Sequence, residues 1–504
     1  MVPWRLYFTY ISITIGSSFV FGYHTGVINA PLSLIQNFTR KVIDDKNYVC
    51  GSSCVRTIVS FCVTAFVIGG LIGGLSGGII ANKLGRKKTL LVLSIPTIIG
   101  SVLIMISLAV NSFEVIILGR FIVGVSAGAY TVVAPNYLSE IAPLSSRGAA
   151  GTLNQFVIVF AILLSQILGL SQVMGTETLW PYLLGLCAPV CLLHVICMLF
   201  CPESPSYLYL IKGDKEAAKD ALLILRGKNY DVQMELDSIQ HDMEYAGDNQ
   251  LSMKDFFQIP YLRWGLFVAL IPHFGQQLSG INGILYYSVP LFESIGLSNK
   301  DATLVNLGVG ATILLGTIIS IFIIDRGGRR VLLLIGFSIC LFSLISFTTV
   351  LAVQKFTGTL WLTYIAILII YLFVSGFSIG PGSIPWFIVA ELFTQEHRDT
   401  ASSVAVGTNW LCNIVVGLVF PQLLAIMDIY AFIPFICILI TVIVLIALYL
   451  PETKGFSPIY TESVFKAQFR HSSVIPYTWE IGSQLKFAFN EQLKKCDHDA
   501  RITS

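Results

Sequence analysis

Charge is scarce in this chain, and acidic charge is missing from its apolar stretches. Asp, Glu, Lys and Arg make up 12% of the 504 residues, against about 25% in ordinary soluble domains. A chain so poor in charge cannot coat a core for life in water. A net charge of +2 and the lack of a basic, aromatic-studded patch argue against a nucleic-acid partner. No nucleophile–base pair or metal-ligating cluster appears, which leaves no catalytic or metal site, implies no cofactor and argues against an enzyme. The run "GGLIGGLSGG" (69–78) lacks the Lys-Ser/Thr ending and strand context of a phosphate loop, and its glycines at four-residue spacing read instead as close helix packing. The eleven cysteines form no disulfide framework, because most, such as Cys187, Cys191 and Cys197, sit inside apolar runs as small hydrophobes. Cys50 and Cys54 share one polar loop, where pairing and two free thiols are both open.

What the chain does have is length and oil. It is 55% hydrophobic, with a mean hydropathy of +0.77. A helix needs about 20 apolar residues to cross roughly 30 Å of hydrocarbon. Twelve runs qualify, near 6–28, 57–80, 89–110, 114–137, 150–172, 179–200, 263–287, 302–324, 331–353, 361–388, 401–424 and 430–450. The first is too long and too polar for a signal peptide's core and reads as an uncleaved span. The sequence therefore predicts an all-α polytopic membrane protein with twelve transmembrane helices.

Basic residues mark the loops that share one side: Lys83, Arg86, Lys87 and Lys88, then Arg147, then Arg326, Arg329 and Arg330, then Arg398. By the positive-inside rule that side is cytosolic, together with both termini. The opposite side carries the loop 31–56 and the sequon Asn37-Phe38-Thr39, which places Asn37 as an extracellular glycosylation site.

The loops also repeat. Arg86 recurs as Arg329, 243 positions on; Glu140 and Arg147 recur as Glu391 and Arg398, 251 on; Pro202 recurs as Pro451, 249 on. Matches near half the chain length indicate duplication of a six-helix unit, and parallel six-helix halves are a transporter architecture in which substrate binds between the halves. The expected organisation is a first half over 1–205, a charged helical linker over 206–262, a second half over 263–455 and a tail over 456–504.

No Asp, Glu or Lys falls within the twelve runs, apart from Glu114 at an edge. Proton and sodium coupling usually needs such a group at membrane depth. The interior charge is Arg120, with His24, His194 and His273 as titratable neighbours. Amides dominate instead: Asn154, Gln155, Gln166, Gln276, Gln277, Asn282, Asn306, Asn409 and Asn413. An amide both donates and accepts, which suits a neutral polyol, and Trp386 and Trp410 offer flat faces to the C–H side of a sugar ring. A single membrane amide is more often helix-to-helix glue. The cluster in "HFGQQLSGINGILYYS" (273–288) is different: on a straight helix Gln276 and Gln277 point about 100° apart, whereas Gly275, Gly280 and Gly283 permit a break that turns them to one cavity. "GPGSIPW" (380–386) reads as a second break, a hinge and a gate at once.

"GYHTGVINAP", "GRKK", "PNYLSEIAP…RG", "PESP", "QQLSGINGILYYS", "DRGGRR", "GPGSIPWFIVAELF", "NW…N" and "PETKG" resemble the sugar porters of the major facilitator superfamily, and most closely the animal class I facilitative glucose transporters. The resemblance covers about residues 10–456. It implies two six-helix halves, a hexose substrate and uniport of D-glucose across the plasma membrane. It further implies that Gln155, Gln276, Gln277, Asn282 and Trp386 bind the hexose and that Trp410 and Asn413 lie in or near the cavity. Arg86, Glu140, Arg147, Arg329, Arg330, Glu391 and Arg398 match a cytosolic charge network that shuts the inner face, and Arg120 is grouped with this gating set. The sequence departs from the family at Ile313, where a sugar-binding Asn is usual and Thr312 stands adjacent, at Ser378 for Glu, at Ser206 for Arg, and at His24, where proton symporters carry Asp and facilitators Asn. His24 keeps a proton-coupled sugar symporter as an alternative, and a hexose sensor that binds without transport is another.

Overall fold

The computed structural model describes residues 4–29, 31–48, 51–143, 146–227, 230–246, 253–359 and 361–469. Every element among them is helical. The first half contains α1 (Trp4–Gly16), α2 (Ser18–Gly26), α3 (Leu32–Asp45), α4 (Ser52–Leu84), α5 (Arg86–Ile106), α6 (Phe113–Ile141), α7 (Arg147–Leu168), α8 (Trp180–Gly185) and α9 (Cys187–Leu199). Three short helices follow, α10 (Lys215–Arg226), α11 (Gln233–Ala246) and α12 (Met253–Gln258). The second half contains α13 (Pro260–Gln277), α14 (Ile281–Ser294), α15 (Asn299–Gly327), α16 (Arg329–Thr357), α17 (Trp361–Ile379), α18 (Ile384–Leu392), α19 (Gln395–Met427), α20 (Ile433–Tyr449) and a terminal α21 (Pro458–Phe469).

Ten helical stretches among the described residues are long and apolar enough to cross a bilayer. The first and seventh runs of the sequence are each made of two shorter helices, α1 with α2 and α13 with α14. Large apolar side chains such as Leu315, Ile319 and Phe322 stand exposed in a row along α15. Water would not tolerate that stripe, and lipid would.

Buried apolar residues gather in three clusters. One draws on the first half together with Trp386, Val406 and Trp410 of the second. Another is built from the second half, with Val159 crossing from the first. A small third cluster packs Tyr207, Leu208 and Tyr209 against Ala218, Leu222 and Leu236 in the linker helices. Helices α4 and α6 approach backbone to backbone: a Cβ on Gly73 would lie 1.9 Å from the Val125 carbonyl oxygen, and one on Gly128 would lie 1.9 Å from that of Gly70. Glycine is required there because no side chain fits between the two helices.

Asn37 is exposed on α3. Cys54 is disulfide-bonded, whereas Cys50 lies outside the described residues, as does the tail beyond residue 469.

Candidate sugar site and linker-end gate

The seventh span breaks between α13 and α14, where Gly280 adopts φ +89°, a left-handed conformation that glycine takes without strain. The break frees Gln276, Gln277 and Asn282 from helical spacing and draws them into one hydrogen-bonded chain with Asn409 of α19. Asn282 donates to the Gln277 side-chain oxygen, and Gln277 donates to Asn409 Oδ1 at 2.6 Å. Asn409 in turn donates to Gln276 Oε1 at 2.7 Å and to His273 Nδ1 at 3.2 Å. Gln276 spends its own amide group on the carbonyls of Pro381 and Gly382, at 2.9 and 3.0 Å. Those carbonyls are free because span ten is interrupted between α17 and α18. Gln276 thus ties one helix break to another.

Aromatic rings cover this chain from the first half. Phe21 lies 5.8 Å from Trp386 and 5.2 Å from Trp410, and Phe66 lies 5.6 Å from Trp410. Trp410 donates its indole N–H to Thr131 across the halves. Gln155 and Asn413 are buried on α7 and α19, whereas Ser18 donates to Asn154 beside them. The two substitutes weighed for the departures are already engaged: Thr312 donates to the Gly308 carbonyl and Ser378 to that of Val374. These are local helix bonds, and they leave each hydroxyl only its acceptor lone pairs.

His24 is fully buried, stacked on Phe66 at 5.7 Å, and its ring nitrogens make no hydrogen bond to the described residues. Arg120 lies over the other side of this group, 5.1 Å from the Phe66 ring, and donates to the His24 carbonyl at 3.4 Å. This removes Arg120 from the gating set. It is 20 residues from Glu140 on α6, about 30 Å along the axis, beyond any side chain's reach.

The remaining charges meet at the end of the bundle that carries the linker helices. Arg86 grips Glu140 with Nε at 3.0 Å and Nη2 at 2.9 Å. Arg329 grips Glu391 in the same two-pronged way, at 3.1 and 2.8 Å. Each carboxylate also accepts a hydroxyl, from Ser204 and Thr453 respectively. Arg398 reaches to 4.0 Å from Glu140. Arg330 stays within its own half, donating to the Ala447 carbonyl. The side chain of Arg147 lies outside the described residues.

Below this layer α21 docks on the second half. Glu462 accepts from Thr394 Oγ1 at 2.9 Å and contacts His397 Nδ1 at 2.8 Å, and Trp264 donates to Gln468 at 3.0 Å. Burial raises the Glu462 carboxyl, but the His397 and Thr394 contacts outweigh it and hold its pKa below the usual glutamate value. Sequence reasoning passed over Asn409 and His273 as site residues, and Asp399 and Glu462 altogether. Asn409 had a signal in its place beside Trp410. Glu462 had none, because nothing local distinguishes it from a solvated tail residue.

Comparisons with known proteins identify the family. Residues 9–465 match the model of the family described as "Sugar (and other) transporter". Solute carrier family 2, facilitated glucose transporter member 3 of Ovis aries is 38% identical over 447 residues, covering 88% of this chain and 90% of that protein. Member 5 of the same solute-carrier family from Mus musculus is 37% identical over 479 residues, covering 95% of each. Among solved structures, the proton:xylose symporter XylE bound to 6-bromo-6-deoxy-D-glucose superposes with a TM-score of 0.79 at 24% identity, covering 92% of this chain and 99% of that one. At that identity the likeness concerns the fold.

Proposed function

Because this chain belongs to the sugar transporter family, we propose that it is a major facilitator uniporter of D-glucose, working by alternating access. It sits in the plasma membrane with both termini and the linker helices in the cytosol. It is a multi-pass membrane transporter and not an enzyme.

The observation that carries the substrate class is the buried, uncharged chain of Asn282, Gln277, Asn409 and Gln276, whose neighbour His273 lies 6.2 Å from the Trp386 ring. A neutral sugar needs donors and acceptors in equal measure, and amides supply both. Affinity in the millimolar range needs about −4 kcal/mol. A few neutral hydrogen bonds of roughly 1 kcal/mol each, with one aromatic contact, reach that. The sugar enters by exchanging its hydroxyls for links in the amide chain, so little buried polarity is left unmet on either side of the exchange.

Uniport rests on His24. None of the hydrogen bonds or ion pairs around its ring involves a carboxylate among the described residues. A proton carrier must exchange its proton as sugar comes and goes, and the charged group beside this imidazole is the Arg120 guanidinium, which has no proton to trade at ordinary pH. The second reading, proton-coupled symport, is favoured by the unengaged nitrogens of that ring.

Purified protein in sealed proteoliposomes separates the two. Glucose equilibrates without accumulating, an inwardly directed proton gradient drives no uphill uptake, and His24→Asn retains transport. Gradient-driven accumulation that His24→Asn abolishes supports symport instead. Competition by glucose, fructose and xylose in the same vesicles orders the substrates, and binding without any flux supports a sensor.

A further inference from the structure

The two arginine clusters at the linker end are copies of one another almost to the atom. Glu203 accepts the backbone N–H groups of Arg86 and Lys87, and Glu452 accepts those of Arg329 and Arg330. Arg86 Nη1 donates to the Ala81 carbonyl, and Arg329 Nη1 to that of Ile324, each five residues back. The copies part at one prong.

In the second half, Arg329 Nη2 finds its additional carboxylate on its own side, Asp325, at 3.1 Å. The residue 243 positions earlier, four before Arg86, is Asn82. Arg86 touches that amide at 3.5 Å and takes its additional carboxylate from across the interface instead, Asp399 Oδ2 at 2.8 Å. In the first half, the residue 251 positions before Asp399 is Gly148. No side chain fits there, since a Cβ on Gly148 would lie 2.1 Å from Asp325 Oδ1 and 2.4 Å from Arg329 Nη2. One half-to-half contact on that side is made by a backbone N–H, Ala149 to Asp325 Oδ2 at 3.1 Å.

We propose that Asp399 is the gate residue of the transport cycle, the one carboxylate whose ion pair with Arg86 closes the linker end and is surrendered each time that end opens. Both its oxygens are held by the first half, Oδ2 by Arg86 and Oδ1 by Asn136 at 2.9 Å. Ser402 donates to the same Asn136, and Gly78 donates to Ser403, so the first turns of α19 lie flat against the ends of α4 and α6. Glu140 and Arg398 complete the surroundings, and Asp399 is 2% exposed. A charge so buried holds its position while its partner is present and is costly once the partner leaves. The opposite side of the interface carries no such penalty, because Asp325 keeps Arg329 whether the gate is open or shut. Among the described side chains the two arginines therefore differ, Arg86 being tied across the interface to Asp399 and Arg329 to Asp325 of its own half.

The inference rests on the alternating-access reading, and its test measures gate distance without reading sugar uptake. Spin labels on Lys88→Cys and Arg326→Cys, both exposed and one on each half, report opening of the full-length protein in nanodiscs, with Cys437→Ser removing an exposed thiol. Asp399→Ala raises the ratio of long-distance to short-distance populations by about tenfold, while Asp399→Glu retains most of the short population and Asp325→Ala moves it little. Asn82→Asp tests the same idea with Asp399 untouched: it gives Arg86 a carboxylate in its own half, as Asp325 does for Arg329, and lengthens the distance. An unchanged distribution in both Asp399→Ala and Asn82→Asp overturns the proposal, as does an equal shift in Asp325→Ala. Absence of glucose flux in the unsubstituted protein would count against the transport reading alone.

Discussion

Span four and span ten occupy matching places in the two halves, yet one is continuous and the other is not. Helix α6 runs unbroken through Phe113–Ile141 despite Pro135, fastened to α4 by glycines that let the two backbones touch. Its counterpart is split into α17 and α18 around "GPGS", and the carbonyls freed by the split are held by Gln276. The same contrast appears at the site. The linked amides Gln276, Gln277, Asn282 and Asn409 come from the second half, and Phe21 and Phe66 of the first half pack on its Trp386 and Trp410. Span four is packed as tightly as backbone allows, whereas the break in span ten is held by the exchangeable side chain of Gln276. Where a helix must move, its orphaned backbone groups need partners that can be exchanged, and amides serve that need.

The largest test of this contrast is Gly128→Val against Gly376→Val. A Cβ at Gly128 meets the Gly70 backbone at 1.9 Å, whereas one at Gly376 meets the Ile339 side chain at 2.5 Å and backbone only at 3.2 Å. Overpacking usually costs about 1–3 kcal/mol, and more when backbone cannot give way. Gly128→Val should therefore fail to yield folded protein by size-exclusion chromatography in detergent, while Gly376→Val stays monodisperse with a lowered melting temperature. Equal loss in both would break the distinction between scaffold and hinge.

Next comes Arg86→Ala against Arg329→Ala. Glu140 is wholly buried and Asp399 nearly so, whereas the Asp325 side chain is 30% exposed and can turn to water. Removing one partner of a buried pair costs about 3–5 kcal/mol. The melting temperature in detergent should fall further for Arg86→Ala, and a larger fall for Arg329→Ala would reverse the assignment.

At the sugar site, Gln277→Ala removes two links of the amide chain. The loss of roughly 1 kcal/mol should raise the glucose KM about fivefold with surface expression intact. Asn154→Ala in the first half should change it less. Equal effects would mean that the first half contributes as much polar recognition as the second.

The smallest effect concerns α21. Glu462 carries a lowered pKa in the folded state, so its contribution is fully present above the ordinary glutamate value and is lost as pH falls through the folded value. Protease access to residues 458–469 should rise only under acid conditions below pH about 4. In Glu462→Gln the pH dependence should flatten. A transition near pH 7 would point to another group.

Much of this was legible beforehand. The all-helical membrane class and the identity of the amide cluster follow from apolar length and from polar side chains placed where lipid would forbid them, whereas ten of the twelve expected spans qualify among the described residues. The helix breaks were legible too, because Gly275, Gly280 and Gly283 permit one and "GPGSIPW" crowds two glycines and two prolines into one span. Arg120 misled, since charge type says nothing of depth along a helix, and its 20-residue distance from Glu140 matters only once α6 proves unbroken. Asp399 was hidden because its neighbour Arg398 drew the charge to itself in the repeat, where Gly148 offered no match.

The sequence by itself determined that this chain lives in a bilayer, that its loop motifs recur near half its length and that its interior polarity is carried by amides. Those properties depend on composition and spacing, which need no knowledge of who touches whom. The tertiary structure alone decided that Gln276 holds a helix break open, that His24 lies against Phe66, and that Arg86 reaches across the interface while Arg329 does not. These are choices among partners hundreds of residues apart, and only packing brings the competing groups within the few ångströms over which a hydrogen bond selects one of them.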